Sequence, residues 1–102
     1  MRFKPGVKIY GLRSEMWAAM MVAQSVYDDL GVEFVVTSSA DGRHSIKSKH
    51  YCGSAIDIRT REMSESKAEK AKDLISTWLT DEFDVIHESN HIHIEYDPKR
   101  SS

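Results

Sequence analysis

The sequence has few of the residues on which covalently cross-linked or irregular architectures depend. Cys52 is the only cysteine among 102 residues, so an intramolecular disulfide is excluded. Two prolines and five glycines are too few for a collagen-like or low-complexity chain. With 40% hydrophobic and 29% charged residues, the chain has the balance of a globular protein. Its stability must therefore come from a hydrophobic core or from a bound metal ion.

A strong charge of one sign and long apolar runs are also missing. The 14 basic and 16 acidic side chains give a formal charge of -2, which provides no electrostatic surface for nucleic acid or an anionic membrane. No segment approaches the roughly 20 apolar residues of a membrane span. Residues 1–12 also lack the apolar core of a signal peptide. We expect no nucleic-acid partner, no membrane insertion and synthesis in the cytoplasm.

Length and hydrophobic periodicity predict a single domain over residues 1–102. One helix is predicted from Ser14, which can act as its cap, to Gly31, with an apolar stripe of Met16, Met20, Ala23, Tyr27 and Leu30. A second helix is predicted over residues 64–80, with Ser66 and Glu69 spaced as a capping box and an apolar side of Ala68, Ala71, Leu74, Ile75, Trp78 and Leu79.

The remaining apolar segments predict strands. Residues 7–12 predict a short strand or an extended lead-in. Residues 32–38 predict a strand because they are rich in β-branched side chains. SAIDIR, residues 54–59, alternates apolar and polar side chains. FDVIHE and HIHIEY are separated by Ser89-Asn90, which is compatible with a tight turn. The pattern favours an α+β fold with a largely antiparallel sheet packed against two main helices.

Alternation also places candidate reactive side chains on one face of two strands. In HIHIEY, His91, His93 and Glu95 share one side, while the isoleucines and the tyrosine share the other. If the isoleucines face the helices, both imidazoles point into a cleft or solvent. The same reasoning puts Asp57 of SAIDIR on the outer face, opposite the isoleucines of that strand.

His50 lies seven residues before Asp57, across a Gly53-Ser54 bend that lets the two side chains approach each other. Two imidazoles and one carboxylate, with water in the fourth position, are the donors of a catalytic zinc site, whereas structural sites more often use cysteines. Any one histidine taken alone is more often a surface or hydrogen-bonded residue. Cys52 is a possible fourth ligand or nucleophile, but no activating group is near it in sequence, which favours a small, partly buried thiol.

The segment SKHYCGSAID, residues 48–57, followed by HIH, residues 91–93, resembles the zinc peptidases of the M15 family. These enzymes cleave bacterial peptidoglycan peptides and include D-alanyl-D-alanine carboxypeptidases and phage L-alanyl-D-glutamate endolysins. The SAID run also resembles the vancomycin-resistance dipeptidases. DGRHSIKSKHYCGSAIDI is similar to the hedgehog signalling domain, a relative that shares the fold and the zinc set. The resemblance covers about residues 37 to 97.

The resemblance implies roles for individual residues. His50 and Asp57 match the first two zinc ligands, and His93 matches the third. His91 matches the neighbouring residue that hydrogen-bonds the oxyanion or the substrate. Ser48 matches a residue that contacts substrate in the dipeptidases, although a hydroxyl in a polar loop is usually just solvated.

Some relatives keep an acid three residues before the ligand histidine, but counted from His93 that position is Asn90, which cannot ionise; Glu88 is therefore the candidate general base. Glu88 stands five residues before His93, close to the spacing of the hedgehog relatives, and three before His91. The second spacing leaves open a register in which His91 is the ligand; we prefer His93, and Glu88 is the base in either case. Arg43 is a candidate cation for the oxyanion, and His44 lies where related domains place another active-site histidine.

The resemblance implies a zinc-dependent metallopeptidase that acts on peptidoglycan peptides, as a carboxypeptidase or an endopeptidase. The expected cofactor is Zn²⁺, the expected partner is the peptide substrate, and the expected state is a monomer. A phage or prophage lysin, acting on the cell wall after release, fits a short chain without a signal sequence. Two alternatives stay open: a noncatalytic, zinc-stabilised, hedgehog-like binding module, and a purely structural metal site.

Overall fold

The computed structural model describes residues 1–7, 9, 11–39 and 54–98 of the chain. Within these residues the elements are β1 (Arg2–Phe3), α1 (Ser14–Leu30), β2 (Val35–Ser39), β3 (Ala55–Arg59), α2 (Glu65–Trp78), β4 (Phe83–Glu88) and β5 (His91–Tyr96). The predicted α+β class is confirmed, because two helices pack against one mixed sheet of five strands in the described part of the chain.

The strands lie in the order β1-β2-β3-β5-β4. β1 pairs with β2 in parallel, whereas β2 with β3, β3 with β5, and β5 with β4 are antiparallel. The largely antiparallel sheet is therefore confirmed. The predicted hairpin is also confirmed, since β4 and β5 pair along their whole length, from Phe83 opposite Tyr96 to Glu88 opposite His91. β5 consequently lies between β3 and β4, where its polar face has neighbours on both sides.

Helix α1 buries the predicted stripe except for Leu30, which is partly buried, and it ends where the sequence predicts. Its buried residues include Met16, Met20, Ala23 and Tyr27. Gly31 ends the helix in the left-handed conformation, with φ of 73°, a backbone state that favours glycine. The predicted serine cap is wrong: the N-cap position is taken by Arg13, which makes no side-chain capping bond, and Ser14 is the first helical residue.

The capping residue of helix α2 also differs from the prediction. Ser64, and not Ser66, is the N-cap, and its hydroxyl accepts a hydrogen bond from the Lys67 amide at 3.1 Å. Trp78 is predicted on the apolar side but is 71% exposed, because it ends the helix, three residues beyond Ile75, the last buried residue of α2. In the described part of the chain, neither helix is long and apolar enough to cross a membrane.

The first two strands also differ in place from the sequence prediction. The edge strand is Arg2–Phe3, and no strand is present among the described residues of 7–12. β2 begins at Val35 rather than at residue 32 because the preceding residues complete the end of α1, where the Val32 amide donates to the Tyr27 carbonyl. These shifts leave the inner and outer faces of the sheet unchanged.

The core lies between the helices and the inner face of the sheet. Its buried side chains include the isoleucines of β3 and β5. Tyr27 packs edge-on against Phe34, with ring centroids 5.3 Å apart, and its hydroxyl donates to the Arg59 carbonyl at 2.9 Å. Burial raises the pKa of the Tyr27 phenol, so it stays a neutral donor. This bond ties α1 to the end of β3, next to the polar outer face.

Candidate functional site

The polar side chains of β3 and β5 meet in rows across the outer face of the sheet. Asp57 pairs with His93, and Arg59 pairs with His91, in the antiparallel register of the two strands. The alternating isoleucines are all fully buried on the opposite face. The predicted division of HIHIEY and SAIDIR into an apolar and a chemical face is therefore confirmed. Asp57 and His93, which are 36 positions apart in the sequence, are therefore in direct contact.

Asp57 and His93 form a nearly buried pair at the centre of this face. The Nδ1 atom of His93 lies 2.7 Å from Oδ1 of Asp57, and the two residues are 8% and 9% exposed. Ser38, on the neighbouring strand β2, donates to the other carboxylate oxygen of Asp57 at 2.9 Å. The second ring nitrogen of His93 lies 3.1 Å from Oε1 of Glu95. His93 is thus held between two carboxylates, a setting that stabilises a cation.

This arrangement shifts the pKa values of both partners. The hydrogen bond with Asp57 raises the pKa of His93, against the effect of its burial, and the Glu95 contact acts in the same direction. For Asp57, burial acts to raise the pKa. The hydrogen bonds from His93 and Ser38, together with the nearby positive charges of the two histidines, outweigh burial and lower it. A charged imidazolium-carboxylate pair is the form that these contacts favour.

His91 lies beside this pair and contacts the candidate base. Its Nε2 atom is 2.9 Å from Oε1 of Glu88 and 3.7 Å from Oδ1 of Asp57. Its Nδ1 atom is 2.7 Å from Oδ1 of Asn90. Because an amide oxygen only accepts, Nδ1 of His91 must carry the proton in that bond. The side chain of Glu88 is 55% exposed, so solvent reaches the carboxylate that contacts His91.

The predicted zinc ligands are only partly within the described residues. Asp57 and His93 are described and in contact, whereas His50 lies outside the described residues. Ser48, Arg43, His44 and Cys52 also lie outside them. Over residues 1–7, 9, 11–39 and 54–98, no group of three or more histidine, cysteine, aspartate or glutamate side chains is arranged to hold a metal ion.

The two described ligand candidates fit a zinc ion in their chemistry. Oδ1 of Asp57 and Nδ1 of His93 are turned toward each other, and both are donor atoms that zinc accepts once Nδ1 has released its proton. Ser38 and Glu95 hold the other polar atoms of the pair, as the partners of metal-ligating residues commonly do. A third ligand from residues 40–53 would complete the set that the sequence predicts.

The sheet also brings together residues that sequence reasoning did not assign to the site. Ser38 contacts Asp57, and Arg59 lies beside His91. Strand alternation could have identified Arg59, because it is two residues from Asp57 and therefore on the same face of the sheet. Nothing in the sequence pairs Ser38 with Asp57, because the register between β2 and β3 contains an irregularity between Val36 and Ser38.

No protein-family model, curated protein or solved structure matches the chain. The likeness to the zinc peptidases therefore rests on the two motifs, at residues 48–57 and 91–93. The contacts of Asp57, His93, His91 and Glu88 are independent of that likeness.

Proposed function

We propose that the chain is a zinc-dependent metallopeptidase that hydrolyses peptide bonds in bacterial peptidoglycan. The observation that carries the proposal is the placement of two functional pairs side by side on one sheet face. The first pair, Asp57 with His93, offers metal ligands, and the second, Glu88 with His91, offers a base and a hydrogen-bond donor. Metallopeptidases need both functions within reach of one peptide bond.

The residues that would hold zinc are His50, Asp57 and His93. Zinc, when bound, polarises the scissile carbonyl and makes a nearby water more acidic. The protein's contribution is to keep Asp57 and His93 in place before binding. Ser38 fixes the Asp57 carboxylate and Glu95 contacts the His93 ring, so little side-chain freedom is left to lose.

Glu88 is the general base in this proposal. Its carboxylate is exposed enough to meet water and lies 2.9 Å from Nε2 of His91. In hydrolysis, Glu88 takes a proton from the attacking water and then gives it to the leaving amine. A carboxylate acting in this way typically accelerates the reaction by about 10² to 10⁴-fold.

His91 is the candidate donor to the oxygen that becomes negative during attack. Asn90 accepts the Nδ1 proton and so fixes the orientation of the ring. Nε2 lies 2.9 Å from Oε1 of Glu88, so the proposed role requires a protonated Nε2 that donates to the substrate oxygen in place of Glu88. Loss of one such donor typically raises the barrier by roughly 3 to 4 kcal/mol.

The test is digestion of purified peptidoglycan by the zinc-loaded protein, with product analysis by mass spectrometry. We expect muropeptides of altered mass, their loss in the presence of a chelator, and their recovery when zinc is returned. Glu88→Gln should lower the rate by about 10²-fold or more while zinc content and unfolding free energy stay as in the wild type.

Glu33→Gln is the matched control. Glu33 is also an exposed glutamate in an ion pair, 2.8 Å from Arg2, but it lies before β2 at the other edge of the sheet. Its substitution should leave the rate unchanged. Unaltered muropeptides with every variant, from a protein that binds zinc, would reject the peptidase and leave the binding module. Unfolding on chelation, with no effect of Glu88→Gln, would instead indicate a structural metal site.

A further inference from the structure

The side of helix α1 that faces away from the sheet is apolar and exposed. Residues 16–27, MWAAMMVAQSVY, contain no charged side chain. Trp17 is 39% exposed and Met21 is 64% exposed, and the two side chains lie one helical turn apart. A surface helix normally carries charged residues on its solvent side, whereas a helix that is apolar on all sides is usually covered on all sides.

Trp78, at the end of α2, extends this apolar surface. It is largely exposed, and it lines a pocket of about 200 Å³ between the two helices together with Val22, Ser25, Val26 and Asp29. Three of the five large apolar side chains that are exposed in the described part of the chain therefore lie on one surface. We call the surface formed by Trp17, Met21 and Trp78 the helix face. Tryptophan and methionine are both enriched in protein interfaces.

The charges at the ends of α1 indicate which partner fits the helix face. Asp28 and Asp29 lie in the last turn, which has no basic residue, although the carboxyl end of a helix favours positive charge. At the other end, Glu15 is paired with Arg13 at 3.6 Å. A second copy packed antiparallel places the positive amino end of its α1 beside Asp28 and Asp29. Two-fold symmetry gives the same contact twice.

Small side chains in the middle of α1 allow two helices to approach each other closely. Ala18 and Ser25 are exposed and lie about one turn on either side of Met21. In an antiparallel pair centred near Met21, Ala18 of one copy lies opposite Ser25 of the other. Parallel packing would instead set Asp28 and Asp29 against their own counterparts, and the like charges would repel.

A membrane surface is a poorer occupant of the helix face. Helices that lie on membranes carry lysine and arginine on their polar side, and residues 14–30 contain neither. The acidic end of α1 would also be repelled by anionic lipid.

We propose that the helix face binds a second copy of this chain, with the two α1 helices packed antiparallel about a two-fold axis near Met21. This state differs from the monomer expected from the sequence. The helices cover the inner face of the sheet, whereas Asp57 and His93 lie on its outer face, so the proposal does not depend on the proposed peptidase. One helix of 17 residues and a neighbouring tryptophan offer less than the roughly 800 Å² per partner of a standard interface. We therefore expect a reversible dimer with a dissociation constant in the micromolar range.

Sedimentation equilibrium of the full-length protein tests the proposal directly. From about 1 µM to about 1 mM, the mean mass should rise from that of one chain toward that of two. Trp17 and Trp78 are the two tryptophans of the chain. Their fluorescence should shift to shorter wavelength over the same concentration range, because both rings leave water.

Met21→Lys should weaken association by at least about tenfold, because it places two like charges beside the two-fold axis. The exposure of Met21 allows the variant to fold, which circular dichroism checks. Ile86→Lys is the matched control. Ile86 is also an exposed apolar residue, but it lies on the outer face of the sheet, opposite His93. Its substitution should leave the dissociation constant unchanged.

The double variant Asp28→Asn, Asp29→Asn tests the orientation of the helices. Antiparallel packing predicts association weaker by about fivefold or more, because the favourable contacts with the amino end of the other helix are lost. Stronger association of this variant would indicate parallel helices and overturn the proposal.

Three other results would also overturn it. The first is the mass of one chain at every concentration, and the second is equal association of wild type and Met21→Lys. The third is loss of association in Ile86→Lys, which would place the interface on the sheet. Binding of a protein that stays monomeric to vesicles of anionic lipid would assign the helix face to a membrane instead.

Discussion

Replacing Asp57 by asparagine isolates the electrostatic contribution of the Asp57-His93 pair. Asparagine has the shape of aspartate but lacks its charge and offers one acceptor oxygen instead of two. Asp57 accepts from both His93, at 2.7 Å, and Ser38, at 2.9 Å. A buried hydrogen bond that involves an ionised group contributes about 1.5 to 3 kcal/mol to stability. Asparagine retains a neutral contact and is easier to bury, so we expect a net loss of about 2 kcal/mol for the metal-free protein.

The loss should depend on pH in a direction fixed by the two pKa shifts. The pKa of His93 is raised above its usual 6.5, so its contribution is complete below that pH and is lost as pH rises through the folded-state value. The pKa of Asp57 is lowered from 3.8, so its contribution is present above that pH and is lost in stronger acid. The pair therefore stabilises the fold most between these two values. The gap between wild type and Asp57→Asn should be larger at about pH 5.5 than at about pH 9.

The assay is urea unfolding of chelator-treated protein at those two pH values. Asp81→Asn is the control, because Asp81 is exposed in the turn before β4 and lies away from the pair. It should change the free energy of unfolding by less than about 0.5 kcal/mol. A gap for Asp57→Asn that is absent at about pH 5.5, or is equal at both pH values, would refute the reasoning that a charged pair stabilises this face.

Three further experiments, with five substitutions, give separate checks. His93→Ala should abolish zinc binding measured by metal analysis after gel filtration, whereas His91→Ala should retain the metal and lose activity; the reverse result would select the register in which His91 is the ligand. Gly31→Ala should lower the unfolding free energy by about 1 kcal/mol in urea titrations, since φ of 73° strains any residue with a Cβ while the surrounding space is open. Ile75→Ala should lower it by about 2 to 5 kcal/mol because the side chain is fully buried, whereas Trp78→Ala, at a position 71% exposed, should cost under about 1 kcal/mol by the same assay.

The fold class followed from the sequence because its strongest signals are periodic. The stripe of α1 and the alternation in HIHIEY report directly which side chains face the core, and both are seen in the structure. Local signals were weaker. Ser14 and Ser66 are each plausible capping residues, yet the N-cap residues are Arg13 and Ser64. A capping pattern in the sequence locates the start of a helix only to within one or two residues.

Contacts within the candidate site, between residues far apart in the sequence, were also only partly predictable. Alternation put Asp57 and His93 on outer faces, but only the strand order β3-β5 makes them opposite partners. The pocket beside His91 had no sequence signal as a unit, since three of its lining residues, Lys4, Arg61 and Asn90, come from separate segments and each reads as an ordinary surface residue. Contacts between distant segments depend on sheet order, which periodicity within one segment does not report.

The two histidines of β5 are two residues apart and share a face, yet their surroundings suit them to different roles. The side chain of His93 is 11% exposed and lies between the carboxylates of Asp57 and Glu95, where a positive charge of any kind is stabilised. That of His91 is 25% exposed, contacts Glu88 and Asn90, and lines a pocket together with Lys4 and Arg61. A buried site flanked by carboxylates favours holding a metal ion, because solvent does not compete there and the negative charges offset those of the ion. A more exposed ring next to a solvated glutamate is accessible to substrate and water, as a hydrogen-bond donor to the reacting group must be. On this argument the difference in burial along a single strand, more than the spacing of the motif, favours His93 as ligand and His91 as donor.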